Sequence, residues 1–318
     1  MQWYWWCVIA PVFICLMIAI ISFVCFYKVF YSPKRKILGA DEFEIPEGEI
    51  YEVYREDMIN WMKDIRQRPH EEFSIKSFDG LTLRANYYEY EPGAITEILF
   101  HGYKGNAERD LSGAVERCFA LGRNALIVDH RASGKSEGHV ISFGVNEHKD
   151  CLRWMNFALE HFGKDTKLIL TGISMGAATV MMAAGTKLPE NVICILADCG
   201  YSSQKEIIEK VITDMKLPAK LLYPFVKLGA KLFGRFDLEE TTPMEAMKKC
   251  AVPIIFVHGD DDAFVPHYMS VKLFEMCVCD KKHLITIKGA GHGLAFPSDK
   301  EGYLSELAKI EKLWGFKK

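Results

Sequence analysis

Residues 1–27 carry no charged side chain, and the first to appear is Lys28. The run 3–26 is long enough to cross a hydrocarbon layer of about 30 Å as one helix. A basic n-region and a small-residue cleavage site are also missing, so the run reads as a retained anchor and not as a cleaved signal peptide. Neither sign of charge dominates. With 39 Lys and Arg against 42 Asp and Glu, the net charge of -3 gives no footprint for a nucleic-acid partner. Hydrophobic residues at 49% and charged ones at 25% exclude a disordered or fibrous chain. The ten cysteines lack the regular spacing of a disulfide framework, and Cys194 and Cys250 sit in apolar runs. Cys277 and Cys279 have no companion pair of the kind a zinc site uses. The thiols therefore read as free, in a reducing compartment.

What is present at the ends of the apolar run fits a membrane. Trp3, Tyr4, Trp5 and Trp6 at one end, with Tyr27 and Tyr31 at the other, match interfacial aromatic belts. Lys28, Lys34, Arg35 and Lys36 all follow the run, so the positive-inside rule places the large domain on the cytoplasmic face of the cell membrane. The chain divides into an anchor (1–31), a juxtamembrane linker with an amphipathic helix (32–70) and an α/β domain (71–318). Residues 41–57 form an acidic, solvated stretch with no evident chemistry, and Tyr51, Tyr54, Met58, Trp61 and Ile65 recur at helical spacing.

Residues 73–78, the pair Asp79-Gly80 and residues 81–88 predict a β-hairpin with a tight turn. Apolar strands then follow at 95–100, 125–128, 168–170, 192–196, 254–257 and 284–287, with helical stretches between most of them. Continuous apolar strands alternating with helices predict a mostly parallel sheet covered on both faces, whose ligands bind beyond the carboxyl ends of the strands. The interval 201–240 is too long for a simple connection and predicts two or three short helices, a small cap whose apolar face covers the site.

Gly172-Ile173-Ser174-Met175-Gly176 lies between an apolar strand and a small-residue helix. This is the setting of a nucleophile elbow, where a turn too tight for neighbouring side chains holds the serine hydroxyl above the sheet edge. A helix N-cap serine would need neither glycine. A serine attacks only with a base in reach. His292, in Gly289-Ala290-Gly291-His292-Gly293 after the last strand, is the candidate base; His283 begins a strand and reads as structural, and His267 follows Pro266 at a helix start on the rim. The acid is expected after the preceding strand, in His258-Gly259-Asp260-Asp261-Asp262, where the spacing from Gly259 and Val265-Pro266 selects Asp262 with Asp260 as the alternative. The amides of Met175 and Tyr103 are the candidate oxyanion hole, with His101 bracing the Tyr103 loop.

With His101-Gly102, Asp129-His130-Arg131-Ala132-Ser133-Gly134-Lys135-Ser136, the Ser174 elbow, Asp262 before Val265-Pro266, and Gly291-His292, residues 70–318 resemble an α/β-hydrolase. The similarity runs to bacterial membrane-anchored members of the serine aminopeptidase-like group, with its lysophospholipase-like and acyl-hydrolase relatives. Many of these carry glycine where this chain has Ala132. The resemblance implies acyl-enzyme chemistry on an acyl ester or a short peptide, with no metal or organic cofactor. Serine at 174 argues against the dehalogenase and epoxide hydrolase branches, which use aspartate there. A peptidase would need acidic groups for a substrate amino terminus, for which Glu137 and Asp198 are candidates; a non-catalytic binding protein would be expected to have lost part of the triad. With the domain on the cytoplasmic face, a membrane-impermeant thiol reagent applied to intact cells leaves the domain cysteines unmodified. Modification before lysis, read by mass spectrometry, would reverse the topology.

Overall fold

The computed structural model describes residues 6–33 and 38–316. Trp3, Tyr4 and Trp5, the Trp6 side chain, and the basic residues Lys34, Arg35 and Lys36 lie outside what is described. Eight strands form one sheet: β1 (Glu71–Lys76), β2 (Thr82–Tyr88), β3 (Thr96–Phe100), β4 (Asn124–Asp129), β5 (Leu168–Ile173), β6 (Val192–Asp198), β7 (Ile254–Gly259) and β8 (Lys282–Ile287). Their spatial order is β1-β2-β4-β3-β5-β6-β7-β8. The β1–β2 and β2–β4 pairs are antiparallel and the remainder parallel. Gly80 makes the expected tight turn with φ 93°. The chain runs outward from β3 to β4 and then returns to β5 on the other side of β3. That reversal opens a crevice between the carboxyl ends of β3 and β5, which is where ligands bind in such sheets.

The helices follow from the same alternation. Ahead of the sheet lie α1 (Trp6–Val29), α2 (Glu49–Glu52) and α3 (Arg55–Gln67). Within it come α4 (Ala107–Ala120), α5 (Glu147–His161), α6 (Met175–Ala184), α7 (Gln204–Asp214), α8 (Ala219–Gly229), a π-helical turn (Ala230–Gly234) and α9 (Pro243–Met247). Then follow α10 (Tyr268–Met276), α11 (Ala295–Ser298) and α12 (Lys300–Trp314). The buried residues of α5, α6, α7, α8 and α10 cover one face of the sheet. Those of α3, α4 and α12 cover the other. The recurring residues near position 60 form two helices and not one: Met58, Trp61 and Ile65 lie buried along α3, whereas Tyr51 belongs to the separate turn α2.

The apolar helix α1 rises about 36 Å at 1.5 Å per residue, enough to span a bilayer. Its upstream side chains are exposed, and in its last two turns one stripe is buried while Phe23, Val24 and Tyr27 stay exposed. Ser22, Phe26 and Phe30 are buried, and Phe30 packs edge-on against Phe143 and Phe236. The Tyr103 hydroxyl donates to the Val29 carbonyl at 2.7 Å, satisfying one of the acceptors that a helix end leaves open. The interval 201–240 holds α7, α8 and the π turn, and part of its apolar surface is turned to α1 and not to the sheet edge. Gly229 lies against the Ser22 backbone, and Phe233 meets Phe23 and Phe26.

Gly229 has an ordinary helical φ of -61°, so only space demands glycine there. A Cβ would stand 2.4 Å from the Ser22 carbonyl oxygen and 3.1 Å from Phe26 Cβ. Gly229→Val is expected to part α8 from α1 and to cost about 1–3 kcal/mol, as overpacked interiors do. Denaturation in detergent micelles measures this, and an unchanged midpoint would contradict the docking of α1.

Candidate active site

The turn from β5 into α6 is held by close backbone approach. A Cβ on Gly172 would lie 2.1 Å from the Gly176 carbonyl carbon, and one on Gly176 would lie 2.0 Å from the Phe100 carbonyl oxygen. Only glycine fits at either position. Between them Ser174 adopts φ 55° and ψ -114°, a strained conformation for a residue with a side chain, costing roughly 1–3 kcal/mol. Its hydroxyl makes no capping bond to α6, and its N–H donates to the Asp198 carbonyl at 2.8 Å. The strain therefore holds the hydroxyl away from the helix it precedes.

His292 comes from the loop after β8, where Gly289 and Gly293 take φ 72° and 68°. Its Nε2 lies 2.9 Å from Ser174 Oγ and its Nδ1 lies 2.7 Å from Asp262 Oδ2. Since an ionised carboxylate can only accept, Nδ1 carries the proton and Nε2 accepts from the serine hydroxyl. Asp262 is itself fixed: Oδ1 accepts from the Phe264 and Val265 amides at 2.9 and 2.8 Å. Burial works against its charge, but the hydrogen bonds from His258 and His292 prevail and hold its carboxyl well below the usual carboxylate range. His258 Nε2 lies 3.2 Å from Asp262 Oδ2 and 2.7 Å from the Val265 carbonyl, so it donates toward both.

The other residues that the sequence brought forward fall elsewhere. Asp260 accepts from the Gly289 amide at 2.6 Å and braces the loop that carries His292, without reaching the imidazole. His267 bonds Thr286 at 2.9 Å, and His283 is exposed on β8. His101 is fully buried: its Nε2 accepts from the His130 amide, so its Nδ1 donates to the Gly102 carbonyl at 2.8 Å, which shapes the Tyr103 loop. A Cβ on Gly102 would come within 3.6 Å of Ser174 Cβ, so that loop runs beside the serine. Met175 opens α6, and its N–H is among the first-turn amides with no intrahelical acceptor. Ala132 keeps the left-handed turn with φ 60° that glycine takes more readily. Glu137 is exposed and accepts from the Thr82 amide at the start of β2. Asp198 is buried behind the elbow and accepts from the Tyr303 hydroxyl at 3.2 Å.

Two neighbours of the site belong to no motif in the sequence. Tyr51, in the acidic stretch, donates its hydroxyl to the His292 carbonyl at 3.0 Å, while Ile50 lies beside Gly291. Cys199, with φ 46°, brings its sulfur close to Asp262 and His292, with ligand atoms within 4.8 Å of one another. A cation there would have to displace the Asp262–His292 bond. It would also need a thiolate, whereas burial pushes the Cys199 thiol up.

Comparisons with known proteins bear on the fold. Residues 98–247 match the model of the alpha/beta hydrolase fold family. The YqkD protein of Bacillus subtilis is 28% identical over 233 residues, covering 73% of this chain and 75% of that protein. The bem46 protein of Schizosaccharomyces pombe is 26% identical over 246 residues, covering 77% and 74%. An esterase of Pyrococcus furiosus superposes with a TM-score of 0.67 at 20% identity, covering 90% of this chain and 99% of that one. Est1E of Butyrivibrio proteoclasticus, solved with ferulic acid bound, does so with 0.54 at 21%, covering 74% and 99%. Over residues 98–247 by the family model, and over most of its length by superposition, the chain has the α/β-hydrolase fold.

Burial raises the Asp198 carboxyl to about 6, against an ordinary 3.8, and its Oδ1 has no hydrogen-bond partner among the described residues. A carboxyl raised on folding binds its proton more tightly in the native state. Its contribution to stability is therefore present at low pH and is lost as pH rises from about 4 to 6, up to about 3 kcal/mol. Asp198→Asn keeps an acceptor for Tyr303 and removes the charge. It is expected to raise stability at pH 7–8 by about 1–3 kcal/mol, with the difference vanishing near pH 4. Denaturant midpoints measured across that range test this, and a variant less stable at pH 8 would contradict it.

Proposed function

We propose that this chain is a membrane-anchored serine hydrolase that cleaves carboxylic esters or thioesters, with acyl lipids as the substrate class. The observation that carries the reading is the continuous line of hydrogen bonds from Ser174 Oγ through both nitrogens of His292 to an Asp262 fixed by two amides. In this mechanism Ser174 attacks the carbonyl carbon while His292 Nε2 takes the hydroxyl proton. The imidazolium so formed is stabilised by Asp262, and the Met175 and Tyr103 amides receive the developing oxyanion. Collapse of the tetrahedral species expels the alcohol or thiol, protonated by His292, and leaves an acyl-serine. Water activated by the same imidazole then attacks the acyl carbon and releases the acid and Ser174. Every proton is returned, so these five residues complete the cycle.

Esters are favoured over peptides by the disposition of the acids. A peptidase needs a carboxylate open to a substrate amine, yet Asp198 lies buried against Tyr303 and Glu137 caps the Thr82 amide. Lipid acyl chains are favoured by α1 and by the apolar surroundings. The exposed Phe264 ring stands 5.0 Å from the His292 ring, and Tyr103 packs on Phe143 at 4.9 Å. The same anchor and the basic residue Lys28 support a cell-membrane location with the domain on the cytoplasmic face. A non-catalytic binding role has no comparable support.

A fluorophosphonate probe is expected to label the purified full chain and to leave Ser174→Ala unlabelled. Equal labelling of both would remove Ser174 from the chemistry. Asp262→Asn is expected to lower kcat on p-nitrophenyl acyl esters by about 10⁴, with Asp260→Asn close to wild type. Turnover of aminoacyl amides in preference to every ester of a chain-length panel would overturn the ester assignment.

A further inference from the structure

We propose that the cap segment 216–235 is a second membrane contact, seated in the headgroup layer of the anionic leaflet through which α1 leaves the bilayer. This rests on the reading of α1 as a membrane anchor. Three independent features of the segment carry it.

The first is depth. Gly229 rests on the backbone of Ser22, and Phe233 packs against Phe23 and Phe26. Ser22 precedes the end of α1 at Val29 by seven residues, about 10 Å along the axis. If α1 spans a bilayer, the junction of α8 with the π turn is therefore drawn down alongside its last apolar turns. Soluble space does not extend that far along a membrane-crossing helix.

The second is the apolar face. Leu217, Leu221, Leu232 and Phe233 are exposed, Leu221 to 64%, and Pro224 and Leu228 fall between them at helical spacing. The face is continuous with the exposed apolar residues of α1, because Phe233 belongs to one and touches the other. An aqueous surface would leave these side chains in contact with water.

The third is charge. The segment contains Lys216, Lys220, Lys227, Lys231 and Arg235 and no acidic residue, in a chain whose net charge is -3. Lys227 also reaches Glu239. A helix with exposed leucines and a row of lysines lies in a membrane interface, with its apolar side among the acyl chains and its ammonium groups extended toward lipid phosphates. The occupant this chemistry selects is an anionic phospholipid surface. The contact would hold the cap, and the Tyr103 loop bonded to Val29, at the level where acyl esters of lipids are presented.

The test is photo-crosslinking of the full chain in vesicles of phosphatidylcholine and phosphatidylglycerol. p-Benzoylphenylalanine replaces Leu221 or Leu232 in the cap, Val12 in α1, or Leu313 on α12, which covers the opposite face of the sheet. Lipid adducts are expected at Val12, Leu221 and Leu232 and not at Leu313. The yield at Leu221 should fall roughly threefold in vesicles of phosphatidylcholine alone. Adducts at Val12 without any at Leu221 and Leu232 would overturn the cap contact and leave the anchor standing. Absence of adducts at Val12 would overturn the anchor itself. Protein–protein adducts at Leu221 in place of lipid ones would assign the face to a second copy of the chain and also overturn the proposal.

Discussion

The geometry of the site depends on how closely three pieces of backbone meet where β3, β5 and α6 converge. Gly176 touches the end of β3 and Gly172 touches the first turn of α6, so neither position has room for a Cβ. The chain can make that corner only by forcing Ser174 into positive φ. Packed backbones on three sides then hold the strained residue in place. From this corner the rest of the site follows. Ser174 sits at the crevice between β3 and β5, the Tyr103 loop leaves β3 beside it, and the loops after β7 and β8 arrive from the strands next in order.

Three successive aspartates after β7 show how position divides labour among identical side chains. Asp262 turns inward, where two amides and two imidazoles keep it ionised despite burial. Asp260 turns outward and ties its loop to the one that carries His292. A similar economy appears deeper in the sheet. Glu97 on β3 is completely buried yet meets Arg117, Arg123 and Thr171, and Arg123 also reaches Glu311 on α12. Removing one member of such a group would leave a charge buried without a counterpart, so these residues fix how α4 and α12 register on the sheet.

Much of this was legible in the sequence because the signals are local. Apolar runs marked the strands, although structure extends β5 through Ile173 and β6 through Asp198, since polar residues at strand ends continue the ladder while breaking the hydropathy pattern. The elbow, the glycine-flanked histidine and the aspartate before Val265-Pro266 could each be read from a few neighbours, and so could the bracing role of His101. Features made by distant segments could not. Tyr51 looked like one more apolar residue on a helix, and its hydroxyl finds His292 across 241 positions. The short helices of 201–240 were visible as an interval, but the direction of their apolar face was not, because α1 is separated from them by nearly the whole length of the domain. Ala132 stood out as a departure from glycine, and only the backbone angle shows that the turn survives the exchange.

The bond between Tyr103 and the Val29 carbonyl, with Phe30 wedged against Phe143 and Phe236, makes the end of α1 a structural member of the domain. A fragment made by trimming away the apolar helix would consequently not be the native domain minus a leash. It would carry an open gutter along Gly229, Phe143 and Phe236, and it would lose an acceptor that steadies the loop beside Ser174. Low solubility or altered reactivity in such a fragment would report the missing wall and not the intrinsic chemistry of the site.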